Sequence, residues 1–175
     1  MKRKHKLIIL VAVIILAAVV AYQWLYWFNE STTSQQRGSI TAQKEIVSLF
    51  SPVGNIKLAN RVLEVRSEIT DKERADLILR ELKKDKTIGA GVQLRDVAIG
   101  IDGVLYLNLS KNLAEAHPGA PSDIMMVYSL VNSFAASFRS VKKVQLLLDG
   151  EAAYTIRGVV YTYLPLEFNK ELMED

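Results

Sequence analysis

A continuous apolar segment at residues 7–28 constrains this chain more than any other feature, because only Gln23 interrupts it. As an α-helix rising about 1.5 Å per residue, the segment would extend about 33 Å, and the hydrocarbon core of a bilayer is about 30 Å thick. We therefore expect one transmembrane helix at residues 7–28, followed by a folded domain.

The charges on either side of this segment predict its orientation. Residues 1–6 form a basic tail with four positive charges, whereas Glu30 follows on the other side. Because positive residues are retained in the cytoplasm, we expect a cytoplasmic N-terminus, a single pass through the inner or cytoplasmic membrane, and an extracytoplasmic domain. Subtracting the tail from the net charge of +3 leaves −1 for the rest of the chain, which gives no reason to expect a nucleic acid as a partner.

A cleaved signal peptide is the alternative interpretation of the same segment. Residues 7–16 would form its apolar stretch, and Val19, Val20 and Ala21 fit a small-residue cleavage site. Cleavage there would leave an exposed aromatic stretch at the new N-terminus, which favours the anchor. Both interpretations export the domain. The chain contains no cysteine, so the domain has no disulfides and no cysteine that could carry a lipid.

Composition divides the remainder of the chain into three parts. Residues 29–43 are rich in Ser, Thr and Gln, so we expect a flexible linker with a reach of about 20 Å. Residues 44–168 alternate between strand and helix patterns and form the predicted domain. Residues 169–175 are interpreted as a polar C-terminal tail.

The first half of the domain predicts two strands and a helix. A strand is predicted at residues 46–50, ended by a turn signal at 51–55, and a second strand at 61–68. Thr70 and Glu73 have the spacing of a capping box at the start of a helix. The apolar stripe that follows has helical spacing and consists of Ala75, Ile78, Leu79 and Leu82.

Asp102 and Gly103 predict a β-hairpin over residues 96–109. A two-residue turn would place Ile99 opposite Tyr106 and would make both faces of the hairpin apolar. A bulged three-residue turn would shift one strand relative to the other. The sequence pattern leaves both registers open.

The second half predicts a long helix and two strands. The helix is predicted at residues 122–140, a strand at 144–148, and a last strand at 159–164 that Pro165 closes. The apolar stripe of the helix consists of Ile124, Val127, Tyr128, Val131, Phe134, Ala135 and Phe138, and Met126 and Leu130 widen it. This mixture of patterns predicts one α+β domain.

The residue inventory offers little for catalysis. His117 is the only histidine outside the basic tail, and no nucleophile elbow, phosphate loop or zinc motif occurs. We therefore expect no enzyme activity, no catalytic residue, no cofactor and no metal site. Hydrolysis by a pair of carboxylates is the alternative. The carboxylates available for it are Glu64, Glu68, Asp96, Asp102, Asp149 and Glu151.

Four residues form the predicted interaction surface. Tyr161 and Tyr163 share one face of the last predicted strand and could stack on a ligand such as a sugar, although tyrosine is also common in ordinary strands. Lys142 and Lys143 could attract an anionic wall polymer or a partner protein, although a solvated charged segment is the simpler interpretation.

Several segments in the second half have a more specific pattern. They are residues 127–134 (VYSLVNSF), 141–150 (VKKVQLLLDG), 156–158 (IRG) and 164–166 (LPL). In this order they resemble the GerMN domain of sporulation and spore germination proteins, and residues 63–66 and 107–110 are similar to two of its upstream segments. The family-motif positions, interpreted as structural, are Asn132, Gly150, Gly158 and Pro165. This chain departs from the family pattern at Val159, which replaces a histidine, and at Ser133 and Phe134, which replace a Thr-Leu pair.

The resemblance implies an α+β module with a small mixed or antiparallel sheet and two helices packed on it, similar to the ring-building motifs of secretion and sporulation machines. Such modules act by surface contact. We therefore expect a membrane-anchored extracytoplasmic module for protein–protein assembly in the cell envelope, with other envelope proteins or with itself. The alternative is a module that binds peptidoglycan or another glycan.

Overall fold

The computed structural model describes residues 44–66, 69–116 and 118–174. The predicted basic tail, anchor and linker (1–43) lie outside the described residues, as do Glu68 and His117. Within the described ranges, no helix is both long enough and apolar enough to cross a membrane.

The described elements alternate between strands and helices. In chain order they are β1 (Lys44–Val53), β2 (Lys57–Arg66), α1 (Asp71–Lys84), β3 (Leu94–Ile99), β4 (Val104–Leu109), α2 (Asp123–Ser137), β5 (Lys143–Leu148), β6 (Thr155–Ile156), β7 (Val160–Tyr161) and β8 (Leu166–Glu167). Strands β1 and β2 form an antiparallel hairpin, and β6 and β7 form a second, short one. The third sheet has the order β3-β4-β5-β8, with β4 and β5 parallel and the outer pairs antiparallel. The predicted α+β class, with two helices and a mixed sheet, is confirmed.

The helix α1 follows its sequence signals closely. The Thr70 hydroxyl accepts a hydrogen bond from the Glu73 N–H at 3.2 Å, and the Glu73 carboxylate accepts one from the Thr70 N–H at 2.8 Å. This arrangement is the predicted capping box. All four residues of the predicted apolar stripe are buried, because that face of α1 packs into the main core.

The strand β1 is longer than predicted. It continues through Pro52 to Val53, so the turn signal at 51–55 does not end it at Phe50. The N–H groups of Ser48 and Phe50 donate to side chains of α2 and therefore point away from β2. By the alternation of a strand, the nitrogen of Pro52 lies on this same edge, where a proline does not interrupt the β1–β2 ladder.

The hairpin between β3 and β4 has the three-residue turn. Ile99 pairs with Leu105, and the Gly100 N–H donates to the Val104 carbonyl at 2.8 Å. Gly103 closes the turn with φ = 80°, a conformation that favours glycine. In this register Val97 and Ile99 of β3 share one face with Leu105, Leu107 and Leu109 of β4, and this face packs into the core. The two-residue alternative is therefore wrong.

The helix α2 is shorter than predicted and differs in one apolar position. It spans Asp123–Ser137 after the N-cap Ser122. Ile124 is exposed and Met125 is buried in its place. The reason is that the first turn of α2 faces Phe50 and Leu58, which pack on Met125.

A row of buried serines joins α2 to β1. The Ser133 hydroxyl accepts from the Phe50 N–H at 2.9 Å. The Ser137 hydroxyl accepts from the Ser48 N–H and donates to the Ser48 carbonyl, both at 3.1 Å. Four helical residues advance about 6 Å and two strand residues about 6.6 Å, so the next member of the row, Ser129, falls level with Pro52. The Ser129 hydroxyl is buried without a partner among the described residues, and Pro52 has no N–H that could donate to it.

The C-terminal part differs from its prediction in two ways. The predicted strand at 159–164 is reduced to β7, which pairs back with β6, and Pro165 precedes β8 rather than closing the last strand. The segment interpreted as a polar tail packs on the domain. Asn132 exchanges hydrogen bonds of 2.9 Å with the N–H and carbonyl of Asn169, and Met173 packs near Leu58.

Removing one serine hydroxyl at a time tests the serine row. We expect Ser133→Ala to lower the free energy of unfolding by about 1–3 kcal/mol, because it leaves the Phe50 N–H buried without an acceptor. Ser129→Ala removes a hydroxyl that has no partner and should cost far less. Urea unfolding of the two variants measures the difference, and an equal loss for both would contradict the assignment.

Candidate interaction site

Three tyrosine rings meet on the surface next to the β6–β7 hairpin. The rings of Tyr154 and Tyr163 stack with centroids 4.6 Å apart and planes 8° apart. Tyr161 lies at 6.3 Å from Tyr163 and 6.5 Å from Tyr154, tilted by 49° to each. Their exposures are 68% for Tyr154, 51% for Tyr161 and 43% for Tyr163. We call these three residues the tyrosine cluster.

Thr162 holds the tyrosine cluster in place. Its N–H donates to the Tyr154 carbonyl and its hydroxyl donates to the Ala153 carbonyl, each at 2.9 Å. Its carbonyl accepts from the side chain of Gln145, a buried residue of β5, at 2.9 Å. Because Thr162 points inward, its two neighbours Tyr161 and Tyr163 both point outward. The backbone under the cluster is therefore fixed on both sides.

The turn beside the cluster is also anchored. Arg157 and Gly158 have φ values of 59° and 90°, as a tight hairpin turn requires. The buried Arg157 guanidinium pairs with Asp123 at 3.3 Å and donates to the Glu115 carbonyl at 2.7 Å. This ties the hairpin to the start of α2, so the cluster is presented by a rigid support.

Exposed aliphatic side chains extend the apolar character of this segment. Val159, which lies between Tyr154 and Tyr161 in the chain, and Leu164, which follows Tyr163, are both exposed. Rigid aromatic residues with exposed apolar neighbours are typical of binding surfaces, since aromatic rings bury a large area at a low cost in conformational entropy.

The two predicted lysines have contacts with other residues. Lys143 forms an ion pair of 2.9 Å with Glu167, and the exposed Lys142 follows the end of α2 and packs beside Gly103. Within the described residues, neither lysine contacts a ring of the tyrosine cluster. The structure therefore groups Tyr161 and Tyr163 with Tyr154.

The family-motif positions lie in turns, or hold neighbouring segments of the fold in place. Asn132 holds the C-terminal segment, as described above. Gly150 has φ = 91° in the turn after β5, and its N–H donates to the Asn108 side chain at 2.8 Å. Gly158 forms the β6–β7 turn, and Pro165 leads into β8.

The candidate carboxylates do not form one group. Asp102 precedes β4 and Asp149 follows β5, so the two lie at opposite ends of parallel strands about 20 Å long. Glu64 pairs with Lys44 at 2.6 Å. In the described ranges, no three His, Cys, Asp or Glu side chains are grouped so that they could hold a metal ion.

Asp149 has a structural role in this arrangement. Its carboxylate accepts a hydrogen bond from the Arg95 side chain at 2.8 Å and one from the Lys111 N–H at 3.3 Å. The hydrogen bond from Arg95 is the main cause that lowers the pKa of Asp149 below its usual value of 3.8. The pair connects the turn after β5 to β3.

Acid titration tests this ion pair. A carboxyl with a lowered pKa in the folded state stabilises the fold above the pKa of the unfolded chain, and this stability is lost as the pH falls through the folded pKa. We expect Asp149→Asn to be less stable than the wild type at pH 7, with a gap that closes below about pH 4. Denaturation at several pH values measures the gap. Glu151→Gln is the control, because Glu151 is exposed and forms no ion pair in the described structure, and a gap that persists unchanged at low pH would contradict the role of the pair.

Comparison with known proteins places the chain in a family. Residues 24–154 match the model of the Germane family, described as "Sporulation and spore germination". The match covers about three quarters of the sequence, so the chain belongs to this family, and the resemblance to the GerMN domain is confirmed. No curated protein matches the chain significantly.

Solved structures have a similar fold at low sequence identity. The tandem GerMN domains of the sporulation protein GerM from Bacillus subtilis superpose with a TM-score of 0.51 at 14% identity, covering 78% of this chain and 50% of that one. The first GerMN domain of the same protein gives a TM-score of 0.46 at 15% identity, covering 70% and 98%. A putative lipoprotein from Clostridium perfringens gives 0.47 at 16% identity, covering 73% and 89%.

Proposed function

We propose that this protein is a membrane-anchored, extracytoplasmic assembly module that binds another protein of the cell envelope through the tyrosine cluster. The observation that carries the proposal is the cluster itself. Three exposed aromatic rings lie together on a hairpin whose backbone is fixed by Thr162 and whose turn is anchored by Arg157. The family description supports a role in sporulation or germination.

The physical argument concerns the cost of binding. A protein interface gains most from large side chains that are already ordered, because little conformational entropy is lost when they are buried. The stacked rings of Tyr154 and Tyr163 restrain each other before any partner arrives, and their hydroxyl groups remain available to donate hydrogen bonds.

The proposed anchor limits where the partner can be. The described domain begins at Lys44, and residues 29–43 would connect it to a transmembrane helix at residues 7–28. With a linker reach of about 20 Å, the tyrosine cluster would sample the region close to the outer face of the cytoplasmic membrane. An envelope protein held near that face fits this geometry, and so does a second copy of this chain.

Replacing the tyrosine cluster tests the proposal. We expect the variant Tyr154→Ser, Tyr161→Ser, Tyr163→Ser of the full chain to retain its fold but to bind its envelope partner at least about tenfold more weakly, as is common when interface aromatic residues are lost. Chemical crosslinking in intact cells, followed by purification, measures the binding. Tyr106→Ser is the matched control, because Tyr106 is also exposed and has no ring partner in the described residues. Equal crosslinking of both variants to envelope proteins would overturn the proposal.

Glycan binding is the second candidate, and the planar faces of the tyrosine cluster favour it. Sugars present C–H faces that stack on aromatic rings, and Tyr154 is the most exposed of the three. Sedimentation with purified sacculi distinguishes the two functions. A glycan-binding module would sediment in the absence of other proteins and would lose this on replacement of the cluster, whereas a protein-assembly module would stay in solution.

A further inference from the structure

The tip of the β3–β4 hairpin presents an isoleucine with no cover. Ile101 is fully exposed, and the acidic Asp102 follows it. The tip is rigid, because the Asp102 carboxylate accepts from the Val104 N–H at 3.2 Å and the Gly103 carbonyl accepts from the Lys142 N–H at 2.8 Å. The tip therefore offers a partner an apolar side chain that can be buried and a carboxylate that can pair with a positive charge.

A cleft of about 510 Å³ lies beside this tip. We call it the arginine cleft. Its apolar walls are Ile46, Ile99, Ala136 and Phe138, and Arg74 and Arg139 supply the positive charge. Ile99 is the last residue of β3, two positions before the exposed Ile101, so the cleft and the tip occupy neighbouring positions at one end of the domain.

One positive charge of the arginine cleft is available to an acidic ligand. The Arg74 guanidinium is buried at its wall, paired with Glu45 and placed over the ring of Phe138, 5.6 Å from the centroid. Arg139 is exposed and forms no ion pair with any described residue. Lys44, which pairs with Glu64, and Asp71 also border the cleft. Arg139 is therefore the positive charge of the cleft that has no ion pair within the described part of the chain.

We infer that the arginine cleft receives the β3–β4 tip of a second copy of this chain. Ile101 of one copy packs against the apolar walls, and Asp102 of that copy approaches Arg139. Because the tip and the cleft are neighbours, a two-fold axis between two copies lets each tip enter the other cleft at the same time, as in an isologous interface. The contact does not use the tyrosine cluster, so it goes beyond the proposed function and can fail or succeed independently of it.

The size of this contact determines how it must be measured. Two tips in two clefts form an interface at the small end of the known range, which is weak between free molecules in solution. Copies that share one membrane surface have a much higher effective concentration. The experiment is therefore made with the full chain in membranes.

Disulfide crosslinking tests the inference, since the chain has no cysteine of its own. Two differently tagged copies are expressed together, one with Ile101→Cys and the other with Ser140→Cys, which borders the cleft. Oxidation should give a crosslinked dimer that carries both tags. In the control, Val159→Cys, which lies on the β6–β7 turn and is exposed, replaces Ser140→Cys and should give none. Equal yields from the two pairs, or no mixed dimer from the first, would overturn the inference.

Charge reversal at the rim provides a second measurement. Adding Arg139→Glu to the Ser140→Cys copy should abolish the crosslink, because Asp102 then meets a like charge, whereas Arg139→Lys should retain it. Arg139 is exposed, so both changes leave the core intact. A crosslink that survives Arg139→Glu at full yield would overturn the inference. So would an Ile101→Cys copy that is captured only by a different envelope protein.

Discussion

The contact between α2 and the free edge of β1 is the interaction on which the domain depends. Among the described residues, the sheet of β1 and β2 has no third strand. Without α2, the N–H groups of Ser48 and Phe50 would therefore lack acceptors. Ser133 and Ser137 supply these acceptors from the helix. One helix turn matches two strand residues in length closely enough for consecutive serines to reach alternate residues. The helix thus takes the place of a neighbouring strand.

The helix α2 also contacts the rest of the core, which explains why so little of this helix is exposed. Its aliphatic residues and Phe134 pack with the inner face of the four-stranded sheet, and Asn132 clips the C-terminal segment against the domain. The helix α2 thus uses different sides to contact β1, the four-stranded sheet and the C-terminal segment. Its buried polar residues are hydrogen-bonded apart from Ser129, in agreement with the rule that buried polar groups find partners.

This arrangement leaves two hairpins projecting from a fixed body. The β6–β7 hairpin presents the tyrosine cluster and the β3–β4 hairpin presents Ile101, and both are held by hydrogen bonds to neighbouring segments. Elements of this kind bind without a large loss of conformational entropy. A member of the Germane family that acts by surface contact would therefore have two separate surfaces, one aromatic and one formed by a tip and a cleft.

Local patterns in the sequence by themselves determined the helices, the capping box at Thr70, the apolar stripe of α1 and the strand β5, because each rests on residues within a few positions of one another. The family resemblance also came from the sequence. Tertiary structure alone decided the extension of β1 through Pro52, the three-residue turn before Val104, the buried serine row and the packing of residues 169–174. It also brought Tyr154 to Tyr161 and Tyr163. These features depend on contacts between residues distant in the chain, and a serine in an apolar helix or a proline in a strand shows its role only when the partner across the interface is known.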